Sequence, residues 1–441
     1  MTPEKAVETA FSIATDIGAN AIWHGERCNW LSQTSDIFLG SRLPAAGMCG
    51  PNVYDGTAGT AMFMAECYRA TLDPIVKRYA EGSITHALSR VDDLPERFAL
   101  GIYTGRAGVA MAAIRVGDIL ERDDIVDKGR EIMTDLLDTE LDGLCVLDVM
   151  VGLAGTIPAV LSLLGFLPKE RALSAVSRWG DVILSHAKHS ARGTSWDTMA
   201  EMRTGLKSIG IASPELLQGQ CCKPNLLGFG HGASGIALAL MELSAEVGEQ
   251  RFARCADNAI AYESSWYNEE HDLWPDLRHD DPIGSAGATH VAWCHGAAGI
   301  GMSRLRMWEI TQNVKYRIET EKACSQTAAM IDRQLKGQTN WSLCHGILGN
   351  LDLLLMSRSA VWENHEALIS RVMDKGYTDF VAKRRPWVYD APTSEALPGL
   401  MLGTAGTGYA YLRYAAPDDV PSALRPGPQE KQIGDCIHRA C

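Results

Sequence analysis

Tyr54-Asp55-Gly56-Thr57-Ala58-Gly59 decides the fold of this chain, because the same shape returns along its whole length. Tyr103-Thr104-Gly105-Arg106-Ala107-Gly108 and Val151-Gly152-Leu153-Ala154-Gly155 echo it. It comes back as His231-Gly232-Ala233-Ser234-Gly235, His295-Gly296-Ala297-Ala298-Gly299, His345-Gly346-Ile347-Leu348-Gly349 and Leu402-Gly403-Thr404-Ala405-Gly406. The first glycines of these seven copies (56, 105, 152, 232, 296, 346 and 403) are mostly about 50 residues apart, the range of stacked supersecondary units. An apolar stretch such as Ile236-Ala237-Leu238-Ala239-Leu240-Met241 follows each copy, and a segment charged on one side, such as Asp124 to Leu137, lies between copies. Each unit therefore predicts two helices, one apolar all round and one with a wet face. Seven such pairs close into a double ring, an all-α fold of the α/α-toroid type, with the apolar helices inside. The glycines are expected to permit positive φ and close backbone approach where each inner helix begins.

β-branched alternation never persists, so strands are expected to be sparse. The gap from Gly152 to Gly232 is the widest and holds Ser190-Ala191-Arg192-Gly193-Thr194-Ser195 and Cys221-Cys222, an elaborated connection expected to roof one face of the ring. No linker interrupts the repeat. The expectation is one domain over residues 1–424, with residues 425–441 a disordered tail after the Gly/Pro-rich Pro421 to Pro428.

A chain of 441 residues that is 46% hydrophobic buries a large core. Its formal charge of -13 argues against nucleic-acid binding, which requires a basic face. The start Met1-Thr2-Pro3-Glu4-Lys5 lacks the basic flank and apolar run of a signal peptide, and a cytoplasmic location is expected. The longest apolar run, Gly152 to Pro168, is too short and too broken for a membrane span, and is expected to be a buried helix. Six of the twelve cysteines (Cys28, Cys49, Cys67, Cys145, Cys255, Cys324) stand alone and are expected to be reduced packing residues.

Two copies carry chemistry. Trp293-Cys294-His295-Gly296 and Ser342-Leu343-Cys344-His345-Gly346 place cysteine at equivalent positions of neighbouring units. Soft thiolates with an imidazole suit zinc, and a set of Cys294, Cys344 and His345 leaves the fourth tetrahedral position for a substrate. A closed site that also uses His295 is the alternative, and ordinary core residues at helix starts are another. His231 occupies the same slot in the fourth copy, and Asp148 lies shortly before the third. Both are expected at the same end of the ring as acid/base candidates, against readings as a satisfied histidine and a helix-capping aspartate.

These motifs, with the seven Gly-x-x-Gly repeats, resemble lanthionine synthetase C-like cyclases from about Asn29-Trp30-Leu31 to Pro421-Ser422. The first copy and the ending Pro417-Asp418-Asp419-Val420-Pro421-Ser422 look most similar to the cyclase domains of bifunctional class II synthetases, here as a stand-alone cyclase. The resemblance implies one catalytic zinc per chain on Cys294, Cys344 and His345. It implies that cysteine thiols of a dehydrated precursor peptide add to dehydroalanine or dehydrobutyrine, giving lanthionine or methyllanthionine rings. Asp148 matches the family's aspartate, assigned to thiol deprotonation or orientation. His231 matches its acid/base histidine, assigned to proton delivery or enolate stabilisation. His290 stands where some members carry arginine, and His295 where others carry an aromatic residue, so both are expected to line the substrate pocket. A separate dehydratase, reached through peripheral association with a biosynthetic complex, is the expected partner. The alternatives are an enzyme adding glutathione to dehydroamino acids and a non-catalytic scaffold that docks a dehydratase and its peptide.

Overall fold

The structure, a computed structural model, describes residues 1–38, 41–141, 146–199, 223–278, 291–337, 339–358, 360, 364–389 and 397–428, without the side chains of 33–46. Every copy of the glycine motif starts an inner helix. These are α2 (Thr57–Thr71), α4 (Arg106–Leu120), α6 (Leu153–Ser162), α8 (Ala233–Val247), α10 (Ala297–Thr311), α12 (Ile347–Met356) and α14 (Thr404–Ala415). The outer helices are α1 (Pro3–Ala19), α3 (Pro74–Ser89), α5 (Asp123–Leu136), α7 (Lys169–Ser185), α9 (Gln250–Ser264), α11 (Val314–Gln334) and α13 (Glu366–Gly376). Each inner helix packs on the outer helix that follows it, except α14, which packs on α1. The fold is an α/α toroid whose seventh pair joins the first and last helices.

Burial explains the two layers. In α6 every residue from Leu153 to Leu161 is buried, because the helix has neighbours on all sides. In α7 only Ala172, Ala175, Val176, Trp179, Gly180 and Ile183 are buried, the i, i+3, i+4, i+7 stripe of a helix with one wet face. A fully buried large apolar side chain such as Trp179 contributes about 2–3 kcal/mol. The turns between layers are set by local chemistry: Leu72 ends α2 in the left-handed conformation, and the Asp73 carboxylate then accepts from the N–H groups of Ile75 and Val76 to begin α3. Gln312 and Asn313 do the same between α10 and α11.

The glycines act mainly through space. Six of the seven residues that precede the inner helices have extended φ, and only Gly296 (φ 103°) needs the glycine-only region. The expectation of positive φ throughout is thus corrected. The second glycine of each copy is required for close approach: a Cβ there would sit 1.9–2.2 Å from the carbonyl oxygen six residues earlier, as at Gly59 against Val53 and Gly349 against Leu343. Gly349→Ala is therefore expected to destabilise the chain by about 1–3 kcal/mol, read as a lower denaturant midpoint with unchanged slope.

Backbone hydrogen bonds join the turns ahead of the inner helices into a closed circuit. Tyr54 N–H donates to Tyr103 O, Tyr103 N–H to Met150 O, and Val149 N–H to Gly230 O. Gly230 N–H donates to Cys294 O, Cys294 N–H to Cys344 O, Cys344 N–H to Met401 O, and Met401 N–H to Tyr54 O. The circuit visits the residue two before the first glycine in every copy. This rim carries the candidate site.

Among the described residues, three two-stranded antiparallel hairpins decorate the ring: β1 (Ile22–His24) with β2 (Arg27–Asn29), β3 (Leu31–Phe38) with β4 (Ser41–Met48), and β5 (Lys188–Ser190) with β6 (Gly193–Ser195). The stretch Ser190 to Ser195 is thus a hairpin rather than an irregular loop. Cys221-Cys222 and the rest of that connection lie outside the described residues, as do Cys145, His290 and residues 429–441. The packed chain runs past position 424, since Arg425, Pro426 and Gly427 are buried. Among the described residues, no helix is long and apolar enough to cross a membrane.

Candidate functional site

Cys294 and Cys344 stand side by side because the rim circuit makes their turns adjacent, Cys294 N–H reaching Cys344 O at 3.4 Å. Each turn is backed by aromatic rings. Trp293 packs edge-on to Tyr103 and against Phe229, and its Nε1–H donates to Leu424 O inside the ring. Trp341 packs edge-on to Phe380 and Trp387 behind the Cys344 turn. Phe229 and Trp293 are fully buried, which leaves their turns little freedom to shift.

Cys294 behaves unlike the isolated buried cysteines. Burial pushes Cys28, Cys49 and Cys67 up to about 12 and Cys255 to about 11, which makes them inert packing groups. Cys294 moves the other way: a hydrogen bond shared with Cys344 holds it below its ordinary value despite burial, helped by His231 and Arg278. The same bond, with burial, pushes Cys344 up. Within the pair, the thiolate form is thus favoured on Cys294 over Cys344. Tyr54 Oη donates to Cys344 Sγ at 3.1 Å from across the rim.

Asp148 and His231 meet at the neighbouring part of the rim. His231 Nδ1 lies 2.5 Å from Asp148 Oδ2, while Asp148 Oδ1 accepts from Val151 N–H at 2.8 Å. Both oxygens of this carboxylate, 2% exposed, are committed. Burial works against a charged imidazole, but the Asp148 carboxylate outweighs it and raises His231 above its ordinary value. With Nδ1 engaged, Nε2 is the nitrogen left for a reactant. His295 is buried, its ring centroid 5.7 Å from that of His231, so it walls the space between His231 and Cys294. His345 is half-buried beside Cys344.

The family described as lanthionine synthetase C-like protein matches residues 47–425. The chain belongs to the lanthionine synthetase C-like family. Among solved structures, the chain is similar to nisin cyclase, with a TM-score of 0.64 and 16% identity over 83% of this chain and 89% of that one, a likeness of fold. It is also similar to the lacticin 481/lactococcin biosynthesis protein LcnDR2 of Lactococcus lactis subsp. lactis, 24% identical over 198 residues. That match spans 43% of this chain and 21% of the relative.

This lanthionine synthetase C-like chain has site residues that its motifs do not announce. Tyr54 fills in the first copy the slot that Cys294 and Cys344 fill in theirs, a signal present in the repeat. Arg278 comes from the segment after α9, outside any copy. Asp276, itself buried, grips the Arg278 guanidinium through both carboxylate oxygens, at 2.5–3.0 Å. The positive charge of Arg278 favours the thiolate form of Cys294.

Zinc is the group that family membership implies. Two thiols sharing a hydrogen bond, with an imidazole at the next residue, are a donor set of the right chemistry. Among the described residues, no three His, Cys, Asp or Glu side chains form a ready-made cluster for a metal. The donor types fit.

Proposed function

We propose that this chain is a zinc-dependent cyclase that closes (methyl)lanthionine rings in a dehydrated precursor peptide, in the cytoplasm and beside a separate dehydratase. The observation that carries this reading is the convergence on one rim of a hydrogen-bonded cysteine pair, in which Cys294 is held below its ordinary value, and an Asp148–His231 pair 2.5 Å apart, in which Asp148 raises His231. Cys294, Cys344 and His345 would hold the metal. Zinc, when bound, lowers the pKa of a substrate thiol from about 8.5 so that thiolate is present at neutral pH.

The chain's own residues then have distinct tasks. In the reaction a cysteine sulfur bonds to Cβ of a dehydroamino acid, the carbon–carbon double bond becomes single, and the resulting enolate takes a proton at Cα. His231, whose charged form Asp148 favours, is placed to deliver that proton from Nε2. Asp148 is an orienting group, because both its oxygens are occupied by Val151 N–H and His231 Nδ1. That arrangement favours orientation over thiol deprotonation. Arg278 offsets negative charge at the thiols, and Tyr54 holds Cys344 in place.

The test is incubation of a dehydrated peptide with the purified protein, alkylation of remaining thiols, and mass spectrometry to count closed rings. Rings formed faster than in buffer support the reading. Equal rates sink it, and glutathione adducts in place of rings point to an external thiol. Tyr54→Phe removes one outer-layer hydrogen bond to a ligand, so zinc affinity is expected to fall about ten-fold, measured by competition with a chromogenic chelator.

A further inference from the structure

We propose that the buried Glu263–Arg304 ion pair is the positioning device for His231, an inference that rests on the proton-delivery reading of that histidine. His231 lies in a bend running from Gly228 to Ser234 at the start of α8. One carboxylate holds both ends of that bend. Glu263 Oε1 accepts from Gly228 N–H at 2.7 Å, three residues before His231, and Glu263 Oε2 accepts from Ser234 Oγ, three residues after it. Gly228 has φ +91°, and a Cβ there would lie 3.1 Å from the Cα of His295, so the bend is also pressed against the neighbouring copy.

The carboxylate is held in turn. Arg304 on α10 donates from Nη2 to Glu263 Oε2 at 2.7 Å and from Nε to Glu319 Oε2 on α11 at 2.6 Å. Arg304 and Glu263 side chains are 0% exposed. Ser264 Oγ donates to Glu319 Oε1 at 2.7 Å, and Ser303 Oγ to Ser234 O at 2.9 Å, so four helices of two adjacent pairs share the network. A buried ion pair of this kind contributes little to stability compared with apolar packing, and its attested use is to select one arrangement. Here the selected arrangement is the bend that brings His231 Nδ1 to Asp148. Glu263 touches neither thiol nor Asp148. It acts through the backbone.

Glu263→Gln keeps the shape of the side chain but removes its charge and turns the oxygen that accepts from both Ser234 Oγ and Arg304 Nη2 into a donor, so Arg304 loses its partner and the two-ended grip on the bend loosens. The variant is expected to keep its helical circular dichroism and its metal content. The His231 titration midpoint, followed by NMR and assigned by its loss in His231→Ala, should fall toward that of an ordinary histidine. Ring formation should slow about ten- to a hundred-fold in kcat with KM unchanged, the mark of lost orientation. If Glu263→Gln fails to fold, Ser234→Ala removes one arm of the grip and leaves the ion pair intact, and a smaller fall of the same midpoint is expected. A midpoint and kcat equal to those of the parent in both variants, with only thermal stability changed, overturns the proposal. The His231 midpoint needs no substrate, so a parent protein that closes no rings refutes the cyclase reading and still leaves the clamp tested.

Discussion

Cys344→Ala is expected to reduce zinc from about one per chain to near none and to slow ring formation by about a thousand-fold or more. Metal activation of a nucleophile supplies several kcal/mol, and each 1.4 kcal/mol is about a factor of ten. The substitution also strips Cys294 of the hydrogen bond that holds its pKa down and leaves Tyr54 Oη without its sulfur acceptor. Cys294 then joins the other buried thiols, which burial pushes up. Elemental analysis and ring counting on the same preparation check this, with circular dichroism showing that the toroid is intact. Full zinc content in folded Cys344→Ala would remove Cys344 from the ligand set. Metal loss with unchanged ring closure would leave the chain a scaffold.

The second large effect belongs to His231. His231→Ala should retain metal and lose about 10²–10⁴-fold in ring formation, the range for a positioned proton donor. Asp148→Asn separates charge from geometry. His231 is raised above about 6.5 because Asp148 favours its charged form, so activity that needs the imidazolium falls as pH rises through that raised value. Without the carboxylate the falling limb moves to lower pH. Stability follows the same sign: the contribution of a raised histidine is complete below the unfolded value of about 6.5 and disappears as pH rises through the folded one. The thermal midpoint of Asp148→Asn should therefore lie furthest below that of the parent near pH 5–6 and approach it at alkaline pH. A deficit that does not change with pH would show that the pair is not coupled.

Much of this was legible in the sequence because the repeat carries it. Spacing alone placed Cys294 beside Cys344, since equivalent positions of neighbouring units share a rim in any closed ring. The same reasoning brought Asp148 and His231 to one end, although only side-chain geometry shows that Asp148 spends its second oxygen on Val151 N–H. Tyr54 was present in the aligned slot but has no nucleophilic chemistry to draw notice, and its reach across the ring depends on the ring's diameter. Arg278 and Glu263 carry no periodic signal. Arg278 sits in an irregular segment and Glu263 near the end of an outer helix, where a charged residue ordinarily faces water. Of the two roles expected for the motif glycines, positive φ holds only at Gly296, while close approach holds at the second glycine of every copy, where a carbonyl oxygen lies within 2.2 Å of the absent Cβ.

The pairing of α14 with α1 sets the order in which the molecule is completed. Six helix hairpins are local in sequence and gather as soon as their own residues are available. The seventh must wait for its two halves, drawn from opposite ends of the repeat array. Until Met401 N–H finds Tyr54 O, the rim is an open arc, with α2 and α12 presenting apolar flanks to water. Closure is thus a high-contact-order step, slow relative to hairpin formation and exposed to association between unfinished chains. Because Cys344 N–H bonds Met401 O in the closing segment, the rim that carries Cys294 and Cys344 is complete only when the last unit docks, which ties the geometry of the candidate site to the completeness of the fold.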